Sequence, residues 1–308
     1  MSSEPPNASR VLRGSALPVR ILDLPRPPSK LFVRGELPRG PAVAIVGTRK
    51  PTEPAREFAR ELAGELARAG VAVLSGGAEG IDTDAHVGAL AQQGITVVVA
   101  PAGFHKPFPA ENAALFREIV ERGGAYLSLV GDDVAPRRGA FFRRNACLVA
   151  LAHALVVVEA PFRSGARNAA ATARKLGRLL FVVPHAPWNP TGQGCLLELK
   201  RGARVLESYK DVLRALADAH LHALGRAHDA MPFQASLPFP GDEPRPSGPR
   251  DEAAELDQVL AAVRNGAHHA DAIGARTGLG VGLIQHRLLT LSLGGVLVLD
   301  PAGRIRLL

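Results

Sequence analysis

Residues 42–49 read AVAIVGTR, an apolar run that ends in a glycine, a hydroxyl group and a guanidinium group. The pattern returns in residues 71–80, VAVLSGGAEG, where a second apolar run ends in a glycine-rich turn. Neither run alternates apolar with polar residues, which is typical of strands buried on both faces of a parallel sheet. Open α/β sheets bind ligands at the carboxyl ends of their strands, so both turns are candidate binding sites.

Further apolar runs of the same kind follow along the chain. They are Thr96–Ala100, Ala125–Leu129, Leu155–Val158 and Leu179–Val183. Between the first two runs quoted above, apolar residues recur at Phe58, Leu62 and Leu66, which indicates an amphipathic helix that ends at Gly70. Strands that alternate with such helices predict an α/β domain over residues 41–221, with a Rossmann-like, doubly wound and mainly parallel sheet.

The flanking segments predict three further parts of the chain. Residues 1–40 carry prolines among short apolar groups, which favours an N-terminal strap, and the proline- and glycine-rich residues 222–253 favour a linker. In residues 254–308 we expect a small winged-helix-like domain. Its expected elements are helices at Leu256–Val263, Ala270–Thr277 and Val281–Ser292 and hairpin strands at Val296–Leu299 and Ile305–Leu308.

Composition and charge limit the possible functions. The 308 residues carry 37 Lys and Arg against 29 Asp and Glu, a formal charge of +8, which favours polyanionic partners such as nucleic acid. Cys147 and Cys195 belong to no Cys/His cluster, so we expect no disulfide, no zinc or other metal site and no cofactor. The N-terminus lacks a secretory signal, and no apolar run approaches the ~20 residues of a membrane helix. We therefore expect a cytoplasmic protein without membrane association.

The turn after the first strand is a candidate phosphate site. Gly47 permits close approach of the backbone, amides from Thr48 onward can point at an anion, and Arg49 and Lys50 supply positive charge. A plain tight turn with a solvated Arg49 explains the same residues. The fragment alone leaves both interpretations open.

The second turn is a candidate nest for phosphate oxygens. Ser75, Gly76, Gly77 and Gly80 can present successive backbone amides to an anion. The turn is not GxGxxG and lacks the Lys-Ser/Thr of a P-loop, so ATP hydrolysis has little support. The alternative is a glycine-lined turn that lets a helix pack close to the sheet.

A third segment combines aromatic rings with guanidinium groups. It reads Phe141-Phe142-Arg143-Arg144-Asn145. A base can stack on a ring while arginine holds the adjoining phosphate, a combination suited to single-stranded nucleic acid. The alternative places both rings in the core and the arginines at a helix end, but two adjacent rings do not easily both point inward.

Acidic groups near these segments have structural explanations. Asp82 and His86 lie one helical turn apart and suit a divalent metal, but capping of a helix by Asp82 is the favoured interpretation. Glu159 ends an apolar strand, and we expect it to pair with an arginine of the segment that follows. No Gly-x-Ser-x-Gly elbow is present, so nucleophilic catalysis has no motif behind it.

Taken in order, these fragments resemble the DprA/Smf family, DNA-processing protein A. The resemblance covers nearly the whole chain, and the order and spacing of its fragments carry it. The fragments are Leu31–Gly35, Gly47–Arg49, Ser75–Asp82, Pro109 with Glu111 and Asn112, Phe141–Asn145, Glu159 and Ala160 with Arg163, Ser164 and Gly165, and the small C-terminal domain.

The resemblance implies a non-enzymatic protein with a Rossmann-like core. Such a protein binds single-stranded DNA, forms a homodimer, protects incoming strands and helps load the RecA recombinase in natural transformation. It implies phosphate contacts at Arg49 and at the turn after Gly76, and stacking of a base on Phe141 or Phe142. The residues that would support the strand are Arg143, Arg144 and Asn145.

The chain departs from the family pattern at two positions. Glu79 stands where the family usually has arginine, and Ala146 stands where a further basic residue is usual. Arg163 and Arg167 can restore part of this positive charge.

Two other classes of protein remain as alternatives. A LOG-like phosphoribohydrolase or nucleotide sensor needs a Pro-Gly-Gly-x-Gly-Thr turn and a catalytic glutamate, and the chain offers only Pro101-Ala102-Gly103 and Glu159. A regulator that reads duplex DNA needs a basic recognition helix, and residues 281–292 offer only His286 and Arg287.

Overall fold

The structure is a computed structural model of the chain. It describes residues 9–229, 252–279, 284, 287–288, 291, 296–299 and 305–307. The chain divides into two compact units, Met1–Phe233 and Gln234–Leu308. Within the described residues, no helix combines the length and the hydropathy that crossing a bilayer requires.

The larger unit is a layered α/β domain. Its strands are β1 Arg10–Arg13, β2 Lys30–Gly35, β3 Ala42–Val46, β4 Ala72–Ser75, β5 Thr96–Ala100, β6 Ala125–Ser128, β7 Ala154–Val157, β8 Leu179–Val182 and β9 Arg204–Val205. Its helices are α1 Glu53–Arg68, α2 Ile81–Ala91, α3 Ala113–Glu121, α4 Ala140–Leu151, α5 Gly165–Lys175, α6 Gln193–Lys200 and α7 Tyr209–Asp229. Strands and helices alternate from β3 onward, as the sequence predicts.

The strands form one nine-stranded sheet in the order β1-β2-β6-β5-β4-β3-β7-β8-β9. All neighbouring pairs from β6 to β9 are parallel, and β1 and β2 are antiparallel to their neighbours. The chain winds outward from β3 through β4 to β6 and then returns to β7 on the other side of β3. This reversal is the topological switch point at which such sheets bind ligands. The predicted Rossmann-like fold is confirmed.

The central strand β3 is buried on both faces, which explains its unbroken apolar sequence. Ala44 and Val46 pack into one core with α4 and α5, and Val43 and Ile45 pack into another with α1 and α2. The parallel register pairs Val46 with Val157 of β7, so both strands end at the same level. The segments that follow β3 and β7 therefore lie side by side.

The N-terminal segment does more than the predicted strap. β2 pairs with β6 in antiparallel register, and β1 adds the edge strand beside β2. Leu31 and Val33 of β2 are buried while Phe32 between them is partly exposed, the alternation of a strand with one buried face. The run Leu31-Phe32-Val33 is apolar throughout, so this alternation of burial is not visible in the sequence.

The smaller unit contains α8 Glu252–Arg264, α9 Ala270–Thr277 and an antiparallel hairpin of β10 Leu297–Leu299 and β11 Ile305–Leu307. Its core includes Val259, Ile273, Leu297 and Ile305. Most of the expected third helix, Val281–Ser292, lies outside the described residues, as do residues 230–251 of the expected linker. Residues 222–229 of that linker belong to α7.

Candidate nucleic-acid interface

A groove of about 350 Å³ lies at the switch point of the sheet, beyond the carboxyl ends of β3 and β7. We call it the Arg49 groove. Its lining includes residues of four segments: Gly47–Arg49 after β3, Ala78 and Asp82 after β4, Phe141, Arg144 and Asn145 of α4, and Arg163–Gly165 at the start of α5. The structure thus brings together residues from four of the sequence fragments that predicted a site.

The turn after β3 is held tightly by its neighbours. An added Cβ at Gly47 would lie 2.5 Å from Ile81 Cγ1, so glycine is needed here for packing. The amide of Thr48 donates to the carbonyl of Glu159 at 2.7 Å and is not directed at the groove. Arg49 and Lys50 are exposed, and positive charge at this turn comes from their side chains.

The glycine-rich turn after β4 is buried. Ser75 Oγ donates to the carbonyl of Ile45 at 2.6 Å, and Gly76, Gly77 and Gly80 are shielded from solvent. Gly77 and Gly80 have positive φ angles, and an added Cβ at Gly77 would lie 2.8 Å from the ring of Phe116. The packing interpretation of these glycines explains the turn. An exposed phosphate nest at these residues does not agree with their burial.

The amides of this turn already face a carboxylate. Asp82 is buried, and its carboxyl group accepts from the amide of Ala78 at 3.3 Å and lies within hydrogen-bonding reach of the amides of Gly47 and Gly76. Burial raises the pKa of Asp82, and Arg144 and these amides oppose the rise. Gly80 occupies the N-cap position of α2, so the predicted capping of this helix by Asp82 is wrong.

Arg144 lies beneath the groove as part of its floor. Its guanidinium is buried, and Nη1 donates to the carbonyl of Gly76 and, at 3.0 Å, to the carbonyl of Val99. Burial lowers the pKa of Arg144, and the charge of Asp82 opposes the shift. The side chain therefore joins the β4 turn to β5, which differs from the exposed phosphate-binding arm that the sequence led us to expect.

The two phenylalanines of α4 have different surroundings. Phe141 is partly buried, with an edge-to-face contact to Phe108 at 5.4 Å between ring centroids. The guanidinium carbon of Arg49 lies 6.0 Å from the centroid of Phe141. Phe142 is 63% exposed and lies outside the lining of the Arg49 groove. The predicted combination of an exposed guanidinium with an aromatic ring is thus formed by Arg49 and Phe141.

The third segment opens α5 toward the groove. Arg163 and Gly165 are exposed, and Ser164 Oγ caps the helix by accepting from the amide of Arg167 at 3.3 Å. Asn145 Nδ2 donates to the carbonyl of Gly165 at 3.3 Å, which ties α4 to the start of α5. The positive end of the α5 dipole and Arg163 together favour an anion here.

Two expectations about charged groups are wrong. Glu159 pairs with no arginine in the part of the chain that the structure describes, because its buried carboxylate accepts from the amide of Thr52 at 2.8 Å and from the hydroxyl of Thr191. Arg167 adds little free positive charge, because its Nε donates to the buried Glu198 at 3.0 Å. The glutamate that a phosphoribohydrolase would need is therefore bound within the protein.

The acidic segment of α2 also has a structural role. Asp84 is buried and pairs with Arg56 and Arg60 of α1. His86 is buried with Nδ1 at 2.7 Å from Thr96 Oγ1, and burial lowers the pKa of His86 to about 3. Among the described residues, no group of His, Cys, Asp and Glu side chains is arranged to hold a metal ion.

Sequence reasoning missed the supports of the groove. Neither the contact between Phe108 and Phe141 nor the burial of Asp82 with Arg144 was predicted. The sequence signal was the acidic first turn of α2, where the charge of Asp82 is compatible with capping as well as with a buried partner.

The fold and the groove define a Rossmann-like protein with an arginine-lined groove at the switch point of its sheet and a separate small C-terminal unit. Residues 11–217 match the family model described as DNA recombination-mediator protein A, and residues 243–303 match that of the DprA winged helix domain. The chain belongs to the DNA recombination-mediator protein A family. The resemblance to the DprA/Smf family is confirmed.

Two relatives show how far the similarity extends. The chain is 38% identical over 264 residues to a putative DNA processing protein DprA of Mycobacterium tuberculosis, covering 85% of this chain and 61% of that protein. It is 31% identical over 306 residues to Protein Smf of Synechocystis, covering 93% of this chain and 77% of that protein. The chain thus spans less than two thirds of the mycobacterial relative.

Two solved structures share the fold. DNA processing protein A from Streptococcus pneumoniae superimposes with a TM-score of 0.63 and 28% identity, covering 68% of this chain and 74% of that one. DNA processing protein A from Helicobacter pylori gives a TM-score of 0.61 and 30% identity, covering 68% of this chain and 97% of that one. The description of the latter structure names a single-stranded DNA binding mode.

Proposed function

We propose that this chain is a recombination mediator that binds single-stranded DNA in the Arg49 groove and catalyses no reaction of its own. Family membership supports this function, as does the description of the related Helicobacter pylori structure. The observation that carries the proposal is the position of Arg49, whose exposed guanidinium lies 6.0 Å from the centroid of Phe141 at the switch point of the sheet.

The groove has the chemistry that an unpaired strand requires. A base stacks on the face of Phe141, a contribution of about 1–3 kcal/mol, and Arg49 holds an adjoining phosphate. Arg163 and the N-terminus of α5 receive the next phosphate on the opposite wall. Stacking on a ring requires a base that has left the duplex, so this arrangement favours single strands.

The cellular role is also part of the proposal. As the resemblance to the DprA/Smf family implies, the proposed role is to protect incoming strands during natural transformation as a homodimer and to help load the RecA recombinase. The wide span of the family match, residues 11–217 with the winged helix domain at 243–303, supports assignment of this role to the chain.

Fluorescence anisotropy of labelled oligo-dT, measured over a series of salt concentrations, tests the binding. We expect affinity to fall steeply with salt, and Arg49→Ala to weaken binding and to reduce the salt slope by about 0.7 for one lost phosphate contact. Absence of binding by the wild-type protein at low salt would contradict the proposal.

Substitutions of Phe141 separate stacking from charge. Phe141→Ala should weaken binding by about 1–3 kcal/mol without changing the salt slope, because no ionic contact is lost. Phe141→Tyr, which keeps the ring, is the matched control and should bind like the wild type. Equal affinities for Phe141→Ala and Phe141→Tyr would show that no base stacks at this position.

A further inference from the structure

A second basic depression lies on the other side of α4 from the Arg49 groove. It consists of two adjoining cavities of about 700 and 550 Å³ that share Leu129 and Arg143 in their linings. The first cavity reaches Arg26 in the N-terminal segment, and the second reaches Lys30 of β2 and Arg137. We call the whole depression the Arg143 groove.

The four cations of this groove lack acidic partners. Arg26, Lys30, Arg137 and Arg143 are all exposed, and none forms an ion pair with a described residue. No acidic residue belongs to the lining of either cavity. A cleft lined by one sign of charge concentrates ions of the opposite sign, so the groove favours a polyanion.

Many other arginines of the domain are paired. Arg34 binds Asp132, Arg178 binds Asp23, and Arg174 binds the buried Glu198. What distinguishes the Arg143 groove is that its four cations, unpaired among the described residues, line two adjoining cavities that have no acidic side chain in their lining. Mutual repulsion among the four cations is relieved when an anion enters.

Aromatic rings accompany the cations. Lys30 Nζ lies 5.3 Å from the centroid of the Phe32 ring, which is partly exposed in the lining of the groove. Phe142, at the start of α4, is 63% exposed. Rings beside cations match a nucleic-acid strand better than an acidic peptide, because the bases of a strand can stack on the rings while its phosphates pair with the cations.

The start of α4 joins the two grooves. Phe141, Arg144 and Asn145 line the Arg49 groove, whereas Ala140 and Arg143 line the other one. The two sets occupy different faces of the same helix, and Phe142 lies between them in its first turn. A flexible strand that leaves Phe141 can pass around this first turn over an exposed ring.

We propose that the Arg143 groove binds the phosphodiester backbone of the same DNA strand after it has passed Phe142, so that one strand occupies both sides of α4. This inference rests on the proposed function and extends it. It also explains why Arg143, which the sequence groups with Arg144 and Asn145, faces a different cavity. The ligand of this second site is the phosphodiester backbone of a single strand that extends beyond the Arg49 groove.

The dependence of affinity on strand length tests the proposal. The double variant Lys30→Gln/Arg137→Gln removes two charges of the Arg143 groove and keeps much of each side-chain stem. Anisotropy is measured with oligo-dT of about 6 and about 16 nucleotides, both within the range of about 4–16 nucleotides found for single-strand sites. Arg117→Gln is the charge control, because Arg117 is exposed on α3, which packs through Phe116 into a different core cluster from α4.

We expect the double variant to bind the longer strand about tenfold more weakly, with a salt slope reduced by about 1.4 for two lost contacts. The affinity of the double variant for the shorter strand should stay within about twofold of the wild type. The affinities of Arg117→Gln for both strands should do the same. Unchanged binding of the longer strand by the double variant would overturn the inference. The inference would also be wrong if the double variant kept its affinity for DNA but lost affinity for poly-glutamate, because the groove would then bind an acidic polypeptide. Failure of the wild type to bind either strand would instead contradict the proposed function itself.

Discussion

The guanidinium of Arg144 crosses Gly76 so closely that residue 76 has no room for a side chain. An added Cβ would overlap Nη1 of Arg144 and would lie 2.7 Å from Asp82 Oδ2. Both neighbours are buried charged groups with fixed hydrogen bonds, so neither can move aside without loss. The glycine after β4 is therefore required by the buried arginine.

This relationship predicts a large effect of a single methyl group. Gly76→Ala should lower the free energy of unfolding by about 1–3 kcal/mol, the usual cost of overpacking a core. Gly40→Ala is the matched control, because an added Cβ there meets nothing within 4 Å. Urea denaturation measures both. Equal stabilities of the two variants would show that the turn has space that the structure does not show.

Removal of the buried arginine should leave a carboxyl group without its counter-charge. Arg144→Met is expected to lower the free energy of unfolding by about 3–5 kcal/mol. Burial already raises the pKa of Asp82, and loss of Arg144 raises it further. The folded variant then binds more protons than the unfolded chain, so its stability should increase as pH falls through the folded-state pKa of Asp82 toward the ordinary value of 3.8.

The double variant Arg144→Met/Asp82→Asn is the control for this pH dependence. It lacks the titrating carboxyl group, so the difference in the free energy of unfolding between the single and double variants should shrink as pH falls. A difference that stays constant between pH about 7 and about 4 would mean that Asp82 does not titrate in the folded state.

His86 predicts a pH dependence of the opposite sign. Burial lowers the pKa of this histidine from 6.5 to about 3, so the folded protein holds it neutral while the unfolded chain protonates. Its contribution to stability is present above pH 6.5 and is lost as pH falls toward about 3. As pH falls from about 6.5 to about 5, the free energy of unfolding of the wild type should decrease by about 2 kcal/mol more than that of His86→Gln. Identical pH profiles in urea denaturation would refute this.

Glu79 offers a gain-of-affinity test. It is exposed next to Ala78, which lines the Arg49 groove. Glu79→Arg should bind oligo-dT more tightly and steepen the salt slope by about 0.7 for one new phosphate contact. Glu79→Gln only removes the negative charge, so its affinity for oligo-dT should lie between that of Glu79→Arg and that of the wild type. An unchanged affinity for Glu79→Arg would place the strand away from this turn.

The sheet was predictable from sequence because its strands are buried on both faces. The run 42–46 carries no polar residue, and this pattern has few explanations other than a central parallel strand. The carboxyl ends of such strands gather at one edge, so the location of the site followed from the fold. The order of the fragments then gave the family.

The roles of individual charges were not predictable in the same way. Arg143 and Arg144 are neighbours in the sequence, yet one is exposed and the other is buried beneath the groove. The packing of α4 on the sheet decides which of them turns inward. Glu159 was expected to pair with an arginine nearby, but its partner Thr191 lies in a later loop that only the tertiary fold brings close. Contacts between distant segments leave no mark in local sequence patterns.

The link from Asn145 to the carbonyl of Gly165 has a consequence for the dynamics of binding. It joins α4 to the start of α5 within the lining of the Arg49 groove, so these two helices are already held together in the absence of a ligand. The loss of conformational freedom on association then falls mainly on the nucleic acid. A receptor that needs no rearrangement captures a passing strand at a rate limited chiefly by encounter and electrostatic attraction.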